Sequence, residues 1–129
     1  IRLEDIRTDQ QRLSIILSNL ISNAVKYHDT TKQNQFIHIT AESRDNIYVF
    51  KVSDNGQGIR KEHIDRLFQM FFTANLRAKG SGIGLYILKE AVENLHGTIE
   101  VDSEYGQGTE FIAKLPIPNV TTHNEILAD

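Results

Sequence analysis

Ile47-Tyr48-Val49-Phe50-Lys51-Val52-Ser53-Asp54-Asn55-Gly56-Gln57-Gly58 is the stretch on which the fold turns. Tyr48, Phe50 and Val52 alternate with polar or smaller residues, the period of a strand with one buried face. Asn55 to Gly58 then breaks the strand. Upstream, Phe36 to Ser43 alternates as well, with Ile37, Ile39 and Ala41 on one face. The short turn Arg44-Asp45-Asn46 joins the two runs, so residues 36 to 54 read as a β-hairpin.

Further out the period changes. Leu13, Ile16, Leu17, Leu20 and Ala24 recur at three- and four-residue steps, predicting an amphipathic helix over residues 9 to 27. Thr8 and Gln11 have the spacing of a capping box at its start, and the polar run His28 to Asn34 ends it. Downstream, residues 61 to 68 read as a short helix and 69 to 82 as an irregular stretch. Ile83 to His96 reads as a second long helix with Leu85, Leu88, Val92 and Leu95 in its stripe and Gly97 as its C-terminal cap. Thr98 to Asp102 and Thr109 to Leu115 flank Gly106-Gln107-Gly108 as a second hairpin. The expectation is an α+β fold, a two-layer sandwich. Its sheet is mixed but mostly antiparallel and is covered on one face by about three helices. Residues 1 to 118 form the domain, closed by Pro116 and Pro118, and 119 to 129 a loose tail.

Composition limits the function classes. The 129 residues carry 14 Lys plus Arg against 17 Asp plus Glu, a formal charge of −3, and no Cys. One domain with its own core fits this length. No disulfide framework or thiolate metal site is available. No apolar run reaches the length of a membrane span, and no signal segment opens the chain, so direct membrane contact is not expected. The acidic balance argues against nucleic acid as the main partner. The expected location is cytoplasmic, and Ile1 without an initiator Met reads as the start of a piece of a longer chain, whose anchorage in the inner membrane is left open.

Three features could carry chemistry. Asn19, Asn23 and Lys26 align along one edge of the first helix. They are either a solvated face, or an oxygen ligand for a hard cation beside a cation for phosphate. Asp54 is in phase with Tyr48, Phe50 and Val52, which aims its carboxylate to the buried side and calls for a donor. It is either a turn cap or an acceptor for an exocyclic amine. Gly80-Ser81-Gly82-Ile83-Gly84-Leu85 precedes a helix, where free N–H groups attract phosphate; the bland alternative is a flexible loop. The dinucleotide fingerprint fails because Leu85 stands at its third glycine, and no Gly-Lys-Ser/Thr is present for a Walker A loop. Gly106-Gln107-Gly108-Thr109 by itself is a hairpin turn.

Their order makes the signal specific. Asn19 to Tyr27 resembles the N box of sensor histidine kinase ATP-binding domains, in the superfamily shared with gyrase, Hsp90 and MutL. Asp54 to Ile59 resembles the G1 box, Leu67 to Phe72 the F box, Gly80 to Leu85 the G2 box, and Gly106 to Phe111 the last glycine box. The resemblance covers about residues 6 to 118 and implies a Bergerat-type fold with a short ATP lid at about 73 to 82. It implies ATP and Mg2+ as cofactors, with Asn23 as the metal ligand. Asn19, Lys26 and Tyr27 would line the phosphate and ribose side, and Asp54 would accept from the adenine amine. Gly56, Gly58, Ile59 and Thr109 would surround the ring and its bound water. Gly80, Gly82 and Gly84 would hinge the lid, with Leu85 beside them, and Arg77 and Lys79 would be lid cations.

The resemblance also implies a reaction. The superfamily's hydrolases place a Glu one turn before the metal-binding Asn, and here Asn19 stands there. That favours transfer to a separate acceptor over hydrolysis. The acceptor would be a His on a dimerisation domain absent from this chain, followed by an Asp of a response regulator; the isolated domain should bind nucleotide with little turnover. Among His28, His38, His63, His96 and His123 none sits in a full acceptor box, although His28-Asp29 with Gln33 has the spacing of one class. Asn119-Val120-Thr121 matches a glycosylation acceptor and reads as chance. The alternatives are a serine kinase of the anti-sigma-factor type, an interaction module without nucleotide, and an ATP-driven clamp.

Overall fold

The structure, a computed structural model, describes residues 6–72 and 82–118. The expected lid with Arg77, Lys79, Gly80 and Ser81, the tail, His123 and Asn119-Val120-Thr121 lie outside the described residues. The elements run α1 (Gln10–Lys26), β1 (Ile37–Arg44), β2 (Ile47–Asp54), α2 (Lys61–Ile64), α3 (Gly84–Asn94), β3 (Thr98–Glu104) and β4 (Gly108–Pro116). The strands form one sheet in the order β1-β2-β4-β3. All pairings among the described residues are antiparallel, and both hairpins form as expected.

The sheet is built on β2 and β4, its two central strands. Register sets Phe50 opposite Ala113 and Val52 opposite Phe111. On the same face α1 lies against β2, and α3 lies against β3 and β4. Ile16, Leu20, Leu88 and Val92 are fully buried between helices and sheet. Each such aliphatic side chain contributes roughly 1.5–3 kcal/mol of burial. At the sheet's edge, β1 is left exposed along most of its length. Ile37 and Ile39 do share a face with Ala41, but Ile39 remains 51% exposed while Ala41 packs against the core.

Four local expectations are corrected. The N-cap of α1 is Asp9, whose Oδ1 accepts from Gln11 N at 3.0 Å and Arg12 N at 3.1 Å. A carboxylate meets the helix dipole as well as the free N–H groups, which a Thr8 hydroxyl would not. The Arg12 backbone N–H, above all, holds the Asp9 carboxyl below its ordinary range. α2 is a single turn, and residues 65 to 68 continue as turns rather than helix. α3 runs from Gly84 to Asn94, inside the expected span. At its end, His96 takes the left-handed conformation at φ 60°, while Gly97 donates to Val92 O. Gly97 is needed for room instead: a Cβ there would lie 2.3 Å from Lys114 O.

Candidate functional site

β2 ends at Asp54, which the register sets opposite Thr109 of β4. One carboxylate oxygen accepts from Gly56 N at 2.8 Å. Burial dominates and pushes the Asp54 carboxyl up, while the Gly56 and Thr109 backbone N–H groups and the Lys32 charge pull it down. Asp54 is therefore a half-buried acid with fixed partners on the inner face of the sheet, as its phase in the strand predicts.

The turn after it packs against the β3–β4 hairpin. Gly58 has φ 74°, and a Cβ there would lie 2.2 Å from Glu104 O, so only glycine fits. Ile59 is buried and its N–H donates to Ser103 Oγ at 2.8 Å. The same hydroxyl lies 2.8 Å from Thr109 Oγ1 and donates to Gly108 O at 2.9 Å. Ser103 thus joins the turn to the hairpin and orients the Thr109 hydroxyl. Sequence reasoning missed it. The signal was present, since Ser103 is in phase with the half-buried Ile99 and Val101, a polar residue on an inward face.

The helical wall comes from α1. Tyr27, its C-cap, accepts from Gln57 N at 2.9 Å through its carbonyl, which fastens the helix end to the turn. Burial pushes the Tyr27 phenol up. Asn23 lies one turn and Lys26 two turns further along the edge that Asn19 begins, Asn23 half-buried and Lys26 exposed. The Asn19 amide donates to Ile15 O at 2.8 Å, and its Oδ1 lies 3.1 Å from where a Cβ on Gly84 would stand. Gly84 is the first residue of α3, so the expected hinge position here serves close helix packing. No side chain caps α3, and Leu85 packs on the core.

The F-box stretch and the G2 stretch also meet. Phe71 N donates to Gly82 O at 2.8 Å, and a Cβ on Gly82 would lie 2.8 Å from Phe71 Cα. This ties together the two ends of the segment between them. Leu67 is buried, and Phe68 meets Phe111 edge-on with ring centroids 6.4 Å apart.

Asp54, Gly56, Gly58, Ile59 and Thr109 thus converge at one end of the sheet, with Tyr27 fastened to them and Asn19 beside the start of α3. A cavity of about 470 Å3 opens on the other flank of α1, lined by Val25, His28, Phe36 and Ile37. It shares only Asp54 and Gly56 with the predicted set. Among the described residues no cluster of three His, Cys, Asp or Glu could hold a metal ion. Asn23 offers one neutral oxygen, which suits a hard cation whose other ligands are phosphate oxygens and water. Among the same residues no helix is long and apolar enough to cross a membrane.

The chain is similar in sequence and in fold to known proteins. Residues 8–119 match the family "Histidine kinase-, DNA gyrase B-, and HSP90-like ATPase", and the chain belongs to it. It is 40% identical over 110 residues to a probable C4-dicarboxylate sensor kinase of Bacillus subtilis, covering 84% of this chain and 20% of that protein. It is 40% identical over 114 residues to the sensor protein SrrB of Staphylococcus aureus, covering 85% of this chain and 19% of that one. The chain therefore spans about a fifth of these relatives' length. Among solved structures, full-length ShkA in complex with AMPPNP superposes with a TM-score of 0.76 at 31% identity, over 88% of this chain and 23% of that one. The catalytic domain of the histidine kinase ThkA gives 0.72 at 30% identity, over 87% and 71%. The fold is that of a histidine kinase ATP-binding domain, as expected from the motif order.

Proposed function

We propose that this domain binds Mg-ATP and presents it for phosphoryl transfer to a His on a dimerisation domain of the same or a paired chain, for relay to an Asp of a response regulator. The observation that carries the nucleotide reading is Asp54: a half-buried carboxylate with one oxygen taken by Gly56 N–H and the Thr109 hydroxyl held beside it by Ser103. Its remaining acceptor capacity suits an exocyclic amine, and the buried Ile59 adds an apolar wall. The AMPPNP complex of ShkA supports the same reading.

Bound Mg2+ would neutralise phosphate charge and help to hold the triphosphate in line for attack. Asn23 would hold that ion through its side-chain oxygen, with Lys26 near the phosphates. The uncapped N–H groups of α3, beside Asn19 and Gly84, would meet phosphate. Asn19 supports transfer over hydrolysis, because a neutral amide that donates to Ile15 O cannot take a proton from water. Gly80, Gly82, Lys79 and Arg77 remain the proposed lid and Leu85 its inner neighbour. We place the domain on the cytoplasmic side of any parent.

Calorimetric titration with ADP and Mg2+ tests the nucleotide step, and absence of heat at millimolar ADP would refute it. Labelling the parent protein with ATP tests the acceptor. An acid-labile product is expected from phosphohistidine, and an acid-stable one would point to a hydroxyl acceptor instead.

A further inference from the structure

The Lys32 ammonium occupies the back of the Asp54 turn. It donates to Asn55 O at 2.7 Å, to Gly56 O at 3.0 Å and to Gln107 O at 3.2 Å. An ammonium has three N–H donors, and all three end on backbone carbonyls of the two turns that frame Asp54 and Thr109. One of these peptide groups has a second role. The Asn55 carbonyl that accepts from Lys32 belongs to the same peptide plane as the Gly56 N–H that donates to Asp54 Oδ1 at 2.8 Å. The plane is thus loaded at both ends, a cation on its oxygen and a carboxylate on its hydrogen. Each bond polarises the other, and a flip of the plane would break both.

We infer that Lys32 is a positioning residue for adenine recognition. By fixing the Asn55–Gly56 peptide it keeps Asp54 Oδ1 engaged and leaves the other oxygen aimed at the exocyclic amine. This rests on the adenine reading of Asp54. The surrounding contacts restrict the plane from the side. A Cβ on Gly56 would lie 2.3 Å from Tyr27 O and 2.8 Å from Asp54 Oδ1, so the turn is tightly enclosed. The Asn55 side chain accepts from Phe36 N at 2.8 Å and donates to Asn34 O at 2.7 Å, which holds the loop bearing Lys32 against the same turn. The third bond, to Gln107 O, draws in the hairpin that carries Thr109. Lys32 acts through Asp54 and Thr109 and does not itself meet the nucleotide.

The test compares ADP with purine riboside 5′-diphosphate, which lacks the 6-amino group, on the native chain, Lys32→Met and Lys32→Arg. Native protein should prefer ADP. Lys32→Met should weaken ADP about tenfold, the scale of one charge-assisted hydrogen bond. It should change the analogue less than about twofold, and Lys32→Arg should restore most of the ADP affinity. Unchanged ADP binding by Lys32→Met, or equal losses for both nucleotides, would overturn the inference. A native chain with no preference for ADP would instead sink the adenine reading, and the role of Lys32 with it. If Lys32→Met does not fold, NMR of the native chain decides. A slowly exchanging Lys32 ammonium signal that shifts on ADP binding is expected; a fast-exchanging one unmoved by ADP overturns the inference.

Discussion

The two turns at the ends of β2 are held in different ways. At one end, Asp45 and Asn46 have φ 53° and 63°, a two-residue turn of the type that matches the twist of a hairpin. Its conformation follows from its own two residues, which tolerate the left-handed region, with one outside tie from Ile117 N to Asn46 O. At the other end, Asn55 to Gly58 is held from outside. Tyr27 O accepts from Gln57 N, His28 O from the Gln57 side chain, and Gln57 O from Gly106 N. Lys32 and Ser103 complete the enclosure. A turn that only reverses the chain can be encoded locally. A turn that holds a half-buried carboxylate in place is fixed by partners from three other segments.

That contrast can be broken most severely at Gly58. Gly58→Ala should cost about 3 kcal/mol or more, combining left-handed strain with collision against Glu104 O. Denaturant unfolding reads it, and a loss under about 1 kcal/mol would mean the turn is not clamped to the hairpin. Next comes Asp54→Asn, expected to weaken ADP roughly 100-fold, about 2.7 kcal/mol, with unchanged far-UV circular dichroism.

The same variant exposes a pH effect. Burial raises the Asp54 carboxyl above its ordinary 3.8, so the folded chain holds this proton to higher pH than the unfolded chain. The ionised form therefore costs stability in the free domain. That cost is fully present above the folded value and fades as pH falls through it toward 3.8. Wild type should gain in Tm relative to Asp54→Asn on acidification through that window. A difference that stays flat or moves the other way would contradict the assigned burial.

Ser103→Ala should cost about 1–2 kcal/mol, because the Ile59 N–H loses its partner in a half-buried place. Retention of full stability would show that water or a shift of the hairpin replaces the hydroxyl. The smallest effect is expected at the outer turn. Asn46→Gly should change stability by under about 0.5 kcal/mol, since its backbone already sits where glycine is comfortable. A loss above about 1 kcal/mol would mean that this turn, too, depends on side-chain contacts.

Most of the architecture was legible because it rests on periodicity. The three-and-four spacing of Leu13, Ile16, Leu20 and Ala24 gives α1, and these are the residues it buries. Asp54 was legible for the same reason, as a carboxylate in phase with buried Tyr48, Phe50 and Val52. Helix ends were less so. Asp9 and Thr8 compete for one N-cap, and local geometry decides between neighbours that spacing cannot separate. Gly97 resembles a C-cap in sequence, yet its lack of a side chain serves the approach of Lys114 O, a partner remote in sequence.

The two hairpins, the two long helices, the family and the inward direction of Asp54 can be read from the order of the amino acids. Each depends on residues close together in the chain or on motifs in order. What holds the site together is set by packing between segments far apart in the chain. Lys32 reaches Gln107 across 75 positions, and Ser103 reaches Ile59 across 44. Both bonds exist because burial of a common apolar face brings α1, β2 and the β3–β4 hairpin to one end of the sheet. Polar groups enclosed there must find partners wherever the chain has been brought near, and no local pattern records which ones.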